Sequence, residues 1–133
     1  MLALPSPQAA ERTDGLWQHT CFEAFICQKE GGYAEFNFSP SGQWAAYDFD
    51  SYRAGMRTRE MSPPGIEIDP GNAQSVLTAS FDVTGLSGAL ALSAVIEEAD
   101  GTKSYWALAH AEGKPDFHHR ACFAATLPAP NEA

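Results

Sequence analysis

Apolar and polar residues alternate with a period of two along much of this chain, in short runs separated by glycine and proline. In residues 19–27 one parity carries Phe22, Ala24 and Ile26, and the other carries His19, Cys21, Glu23, Phe25 and Cys27. In residues 33–38, Ala34, Phe36 and Phe38 alternate with Glu35 and Asn37. A strand turns successive side chains to opposite faces, so these runs predict strands with two unlike faces. The same pattern predicts strands at 44–49, 76–83, 89–97, 103–110 and 122–127. Turn signals part them: Glu30-Gly31-Gly32, Ser39-Pro40-Ser41-Gly42, Leu86-Ser87-Gly88 and Asp100-Gly101. The Asp-Gly pair is the strongest hairpin signal, because both residues tolerate positive φ. Residues 54–75 hold Pro63, Pro64, Gly65, Pro70 and Gly71, and read as an irregular crossover with a short strand at 65–68. No convincing helical period, internal repeat or low-complexity tract is found. Seven short strands predict an all-β fold, an antiparallel β-sandwich or jelly roll. The domain is expected at 12–127, with tails at 1–11 and 128–133.

Register then decides which side chains share a face. Setting Ala24 beside Phe36 through the Gly31-Gly32 turn sets Glu23 beside Asn37. A four-residue connection from Ser39 to Gly42 would next set Asn37 beside Trp44. That sends Ala45, Tyr47 and Phe49 to the core and leaves Glu23, Glu35, Asn37, Trp44 and Asp48 on one polar face decorated with an indole. A sugar offers an apolar ring surface edged by hydroxyls. A flat indole to stack on, flanked by carboxylates and amides, is the matching chemistry. Glu23, Asn37 and either Trp17 or Trp44 supply those groups, although a tryptophan in a sandwich is more often core than platform.

Composition removes other classes. The chain has 133 residues, 44% hydrophobic, with 15 aromatic residues, enough to bury a core without metal or disulfide staples. Seventeen acidic against eight basic residues leave a net charge of −9, which disfavours nucleic acid and anionic membranes as partners. Arg53, Arg57 and Arg59 lie close together but among Asp48, Asp50 and Glu60, as in a solvated loop. No run approaches the ~20 apolar residues that span a bilayer. The first residues do not read as a secretory signal, so a cytoplasmic setting is expected. Cys21 and Cys27 on one strand would stand roughly 20 Å apart, beyond disulfide reach, and with Cys122 read as buried free thiols.

Catalytic and metal signals are weak. Adjacent His118 and His119 point to opposite sides of an extended segment and cannot easily grip one ion. A loop capping the pocket, with one histidine inside, is the expected arrangement. Glu23 and Glu35 are not direct neighbours in this register, which argues against a glycosidase pair. Cys21 near His19 lacks the cationic setting that activates a thiol. No phosphate-cradling glycine loop is present.

The runs L-W-Q-H-T-C-F-E and E-F-N-F-S-P-S-G-Q-W, with Y-D-F-D-S-Y-R-A-G-M and the later P-D-F-H-H, resemble bacterial DOMON-like proteins of the family 9 carbohydrate-binding-module type over about residues 2–127. The resemblance implies an immunoglobulin-like or jelly-roll sandwich that binds a ligand without catalysing a reaction. Sugar-binding members stack a sugar between two tryptophans, with a glutamate six residues after the first. Trp17 and Glu23 have that spacing here. A basic residue of the next strand is replaced by Glu35 or Asn37, and the second tryptophan by the Phe117, His118 and His119 segment. Members usually carry further strands before the L-W-Q-H-T run, so a sandwich lacking its first strands is expected. Related DOMON domains hold haem through methionine with histidine or lysine, which makes Met56 and Met61 the residues of an alternative reading. A third reading is an interaction domain pairing through an exposed sheet edge. The expected function is non-catalytic binding of carbohydrate or a related polyhydroxylated small molecule, with no cofactor, through Trp17, Glu23, Glu35, Asn37, Trp44, Phe117, His118 and His119.

Overall fold

The computed structural model describes residues 2–69, 71 and 74–127. Its strands are β1 (Cys21–Gln28), β2 (Tyr33–Phe38), β3 (Trp44–Phe49), β4 (Arg57–Thr58), β5 (Gly65–Asp69), β6 (Val76–Ser80), β7 (Leu86–Glu97), β8 (Lys103–Ala107) and β9 (Ala125–Leu127). Two single 3-10 turns, Leu16–Gln18 and Arg120–Cys122, are the only helical pieces among the described residues. The main sheet runs β4-β3-β2-β1-β7-β8, every neighbour antiparallel, and β9 joins β7 beside β8. β5 and β6 pair only with each other and form a second, smaller sheet. The fold is thus an antiparallel all-β sandwich, as the alternation predicts.

One face of the main sheet carries the core. Ala24 and Ile26 of β1, Ala34, Phe36 and Phe38 of β2, and Trp44 and Ala46 of β3 are buried there. Ile66 and Leu77 of the small sheet, with Phe81 and Val83 just after it, pack against them. The Phe81 ring centroid stands 4.7 Å from that of Phe36 and 5.0 Å from that of Phe38. The β1–β2 register is the expected one, Glu23 opposite Asn37 and Ala24 opposite Phe36.

The β2–β3 register is not. The connection spans residues 39–43, closed by Ser39 N–H donating to the Gln43 carbonyl at 2.9 Å, with Gly42 at φ 95° in the turn. Phe38 therefore faces Trp44, and Asn37 faces Ala45. One extra loop residue inverts the facing of a whole strand. Trp44 and Asp48 join the core side, and Tyr47 and Phe49 go to the other. Trp44 is buried, 4% exposed, under the Arg12 guanidinium, whose carbon lies 4.3 Å from the ring centroid.

Other expectations shift at their edges. Leu86-Ser87-Gly88 is no turn but the start of β7, which is long enough to pair with β9 along its first half and β8 along its second. The last strand begins at Ala125, because residues 120–122 close a 3-10 turn. β8 ends at Ala107. The segment 2–11 is docked: the Ala3 N–H donates to the Glu97 carbonyl at 2.8 Å and the Gln8 N–H to the Ser41 carbonyl at 2.8 Å. The tail expected at 128–133 lies outside the described residues. The Asp100-Gly101 hairpin forms as predicted, with Glu98 N–H donating to the Thr102 carbonyl at 2.8 Å. No helix among the described residues is long and apolar enough to cross a membrane.

Candidate functional site

The face of the main sheet turned away from the small sheet is built from the odd positions of β1 to β3. Glu23 and Phe25 of β1, Glu35 and Asn37 of β2, and Tyr47 and Phe49 of β3 project from it. Ser93 and Val95 of β7 continue that face, since Glu23 pairs with Ser93 and Cys21 with Val95, and Tyr105 of β8 stands opposite Val95. Loops rise around this floor: Trp17 from the first 3-10 turn, Arg53 and Met56 from the turn before β4, and Lys114, Pro115, Phe117 and His118 after β8. Together they enclose an open cavity of about 700 Å³.

Trp17, Glu23, Glu35, Asn37, Phe117 and His118 thus meet in one place. Trp17 is 55% exposed at the rim, while Glu23 (6%) and Asn37 (1%) are sunk in the floor. Trp44 does not belong to the site, for the register reason given. His119 faces a second cavity of about 680 Å³, lined also by Cys27, Tyr52, Ala89, Arg120 and Phe123, and its Nδ1 accepts the Ala121 N–H at 3.0 Å. Of the two methionines, Met61 packs against the core and Met56 lines the first cavity. The three clustered arginines are each paired: Arg53 with Asp116 at 2.8 Å, Arg57 with Asp50 at 2.8 Å, and Arg59 with Asp48 at 2.9 Å.

Burial dominates the electrostatics. The Glu23 carboxyl is pushed up to about 8 by desolvation and then by repulsion from Glu35, against a Ser93 Oγ–H donating at 3.3 Å. Desolvation also pushes Glu35 up to about 7, opposed by a hydrogen bond from Asn37 and the charge of Arg53. Glu23 and Glu35 occupy diagonal positions on neighbouring strands, close enough to feel one another across a low-dielectric floor. Cys21, two residues before Glu23 on the same face of β1, has its thiol pushed up by burial and by both carboxyls, and so stays protonated and inert.

His118 is oriented by a relay. The Arg53 backbone N–H donates to Tyr33 Oη at 3.1 Å, and Tyr33 Oη shares a hydrogen bond with His118 Nδ1 at 2.8 Å. His118 Nε2 stands 3.5 Å from Glu35 Oε1. Burial, reinforced by Arg53, pushes His118 down to about 4, so the ring is neutral around pH 7.

Sequence reasoning missed Ser93, Tyr47, Phe49, Arg53 and Tyr105. Ser93 carried a signal, a lone hydroxyl in the apolar run from Ala89 to Ile96. Arg53 and Tyr105 carried none, since loop closure and the β7–β8 register bring them in. Among the described residues no cluster of three or more His, Cys, Asp or Glu is arranged to hold a metal ion. Compared with models of known protein families, with curated proteins and with solved structures, the chain finds no match.

Proposed function

We propose that this chain is a non-catalytic binding module for a carbohydrate or a related polyhydroxylated small molecule, akin to the sugar-binding DOMON-like modules that its sequence resembles. One observation carries the reading: an exposed indole and a floor of buried, hydrogen-bonding side chains share a single open cavity. Trp17 offers the ring face on which a sugar stacks. Glu23, Glu35 and Asn37 offer hydrogen-bonding groups to its edge, and Tyr105 and Phe117 supply apolar wall. The size suits one small guest. Binding is favoured over hydrolysis because a glycosidase needs its two carboxyls driven apart, one acid and one ionised, whereas burial drives both upward here.

Calorimetric titration of the wild type and Trp17→Ala with a panel of mono- and disaccharides tests the reading. Saturable uptake that the substitution weakens at least about tenfold, with the fold intact, supports it. Turnover of nitrophenyl glycosides, or absorption near 400 nm in the purified protein, contradicts it.

An interaction domain is a second reading with its own observation. Leu92 and Trp106 lie exposed on the core-side face of the main sheet beyond the reach of β5 and β6, with Leu108 exposed just after β8. A salt-resistant dimer that takes up no saccharide favours it.

A further inference from the structure

The floor of the cavity gathers two carboxyls and an amide carbonyl within one β1–β2 patch. Glu23 stands directly opposite Asn37 across the β1–β2 pair, with Glu35 two residues before Asn37. Two donors nearby are already directed at these carboxyls, Ser93 Oγ–H to Glu23 and the Asn37 side chain to Glu35, and His118 Nε2 stands 3.5 Å from Glu35. With its amide so used, Asn37 keeps a carbonyl oxygen, Oδ1, that is buried without a hydrogen-bond partner among the described residues. A buried acceptor left unpaired is costly, so it marks a place where a donor belongs.

A hydroxyl group is a poor fit for that place. It brings one proton, so it can satisfy only one of these acceptors, and it brings no charge to set against the carboxyls. A protonated amine brings three donors, no acceptor and one positive charge. Three donors match Glu23, Glu35 and Asn37 Oδ1, and the charge matches the carboxyls. The protein's own cations leave this need unmet. Arg53 holds its guanidinium on Asp116, and Lys114 is exposed at the rim.

We infer that the Glu23–Glu35–Asn37 floor is an ammonium site, and that the guest of this cavity is an amine-bearing polyol, of which amino sugars are the simplest class. The inference rests on the binding reading above and sharpens it. The amine sits in the floor, donating to Glu23, Glu35 and Asn37 Oδ1, while the sugar ring lies toward Trp17. Both carboxyls ionise around the bound cation, so the protein releases protons as the amine enters.

The test is calorimetry at pH 7 with D-glucose, D-galactose and D-mannose against their 2-amino-2-deoxy and 2-acetamido-2-deoxy counterparts. The amines are expected to bind at least about tenfold more tightly than either neutral series, as charge-assisted hydrogen bonds imply. In Glu23→Gln/Glu35→Gln the ratio of amine to neutral-sugar affinity is expected to fall to about one. Gln mimics the protonated carboxyl that each site tolerates, so the variant retains its fold, checked by its thermal transition. Neutral sugars binding as well as the amines would overturn the ammonium site and leave the binding module standing. Uptake of neither series would overturn both.

Discussion

Two tryptophans divide the residue scale. Trp44 is packed between β2, β3 and the Arg12 guanidinium, whereas Trp17 stands on a short 3-10 turn, 55% exposed. Trp44→Ala is expected to cost roughly 3–5 kcal/mol in chemical denaturation, the usual range for an aromatic core truncation. Trp17→Ala is expected to change stability by no more than about 0.5 kcal/mol. A large loss from Trp17→Ala would make it a structural residue. Glu23 yields a second expectation. Its carboxyl is raised on folding, so the native state holds a proton that the unfolded chain has lost between its ordinary value and about 8. Stability then falls as pH rises through that window, Glu35 adding to the fall up to about 7. His118, lowered to about 4, acts oppositely, but only below its ordinary value near 6.5. Between pH 6.5 and 8 the glutamates alone remain, and stability is expected to drop by on the order of 1–2 kcal/mol. Urea titrations across this range check it, with Glu23→Gln flattening the slope.

At the scale of elements, the hairpins decide the site. Strand positions were legible because alternation is a local property, and β2 and β3 begin and end where it places them. Facing was not, because it turned on whether Gln43 belongs to the loop or the strand. Ser41 bonds Ser39 Oγ at 2.8 Å and Gln43 Oε1 at 3.0 Å, so the loop is held by side chains that no periodicity reveals. That single residue exchanged Trp44 for Tyr47 and Phe49 in the cavity. The β1–β2 turn is more strictly built. A Cβ on Gly32 would lie 2.1 Å from the Phe49 carbonyl oxygen, at a φ of 74°. Gly31, at φ 103°, has nothing near. Gly32→Ala is expected to lose roughly 2–4 kcal/mol and Gly31→Ala about 1–2 kcal/mol, measured by thermal or chemical denaturation. Equal losses would mean that the close approach to β3 is unimportant.

The whole molecule is a sheet with two differently used faces. The small β5–β6 sheet covers part of one and, among the described residues, shares no backbone ladder with the main sheet. Hydrogen exchange is therefore expected to open β5 and β6 at lower free energy than β1 and β2, which have partners on both sides. Equal protection would mean that the two sheets unfold as one unit. Loops cover the other face, and they bring the Phe117–His118 segment, distant in sequence, over Glu35. The six cavity residues named from the sequence came from strand parity, the Trp17–Glu23 spacing and the place of the resembled family's second tryptophan, whereas the cavity depends on that loop closure. The three tryptophans, Trp17, Trp44 and Trp106, report on three separate environments: cavity rim, core and exposed sheet face. Two-dimensional NMR of nitrogen-labelled protein titrated with 2-amino-2-deoxy-D-glucose tests the account most directly. The Trp17 indole and Asn37 side-chain amide signals should shift together and saturably while those of Trp44 and Trp106 stay in place. Motionless Trp17 and Asn37 signals, or shifts confined to Trp106, would contradict a binding site on this floor.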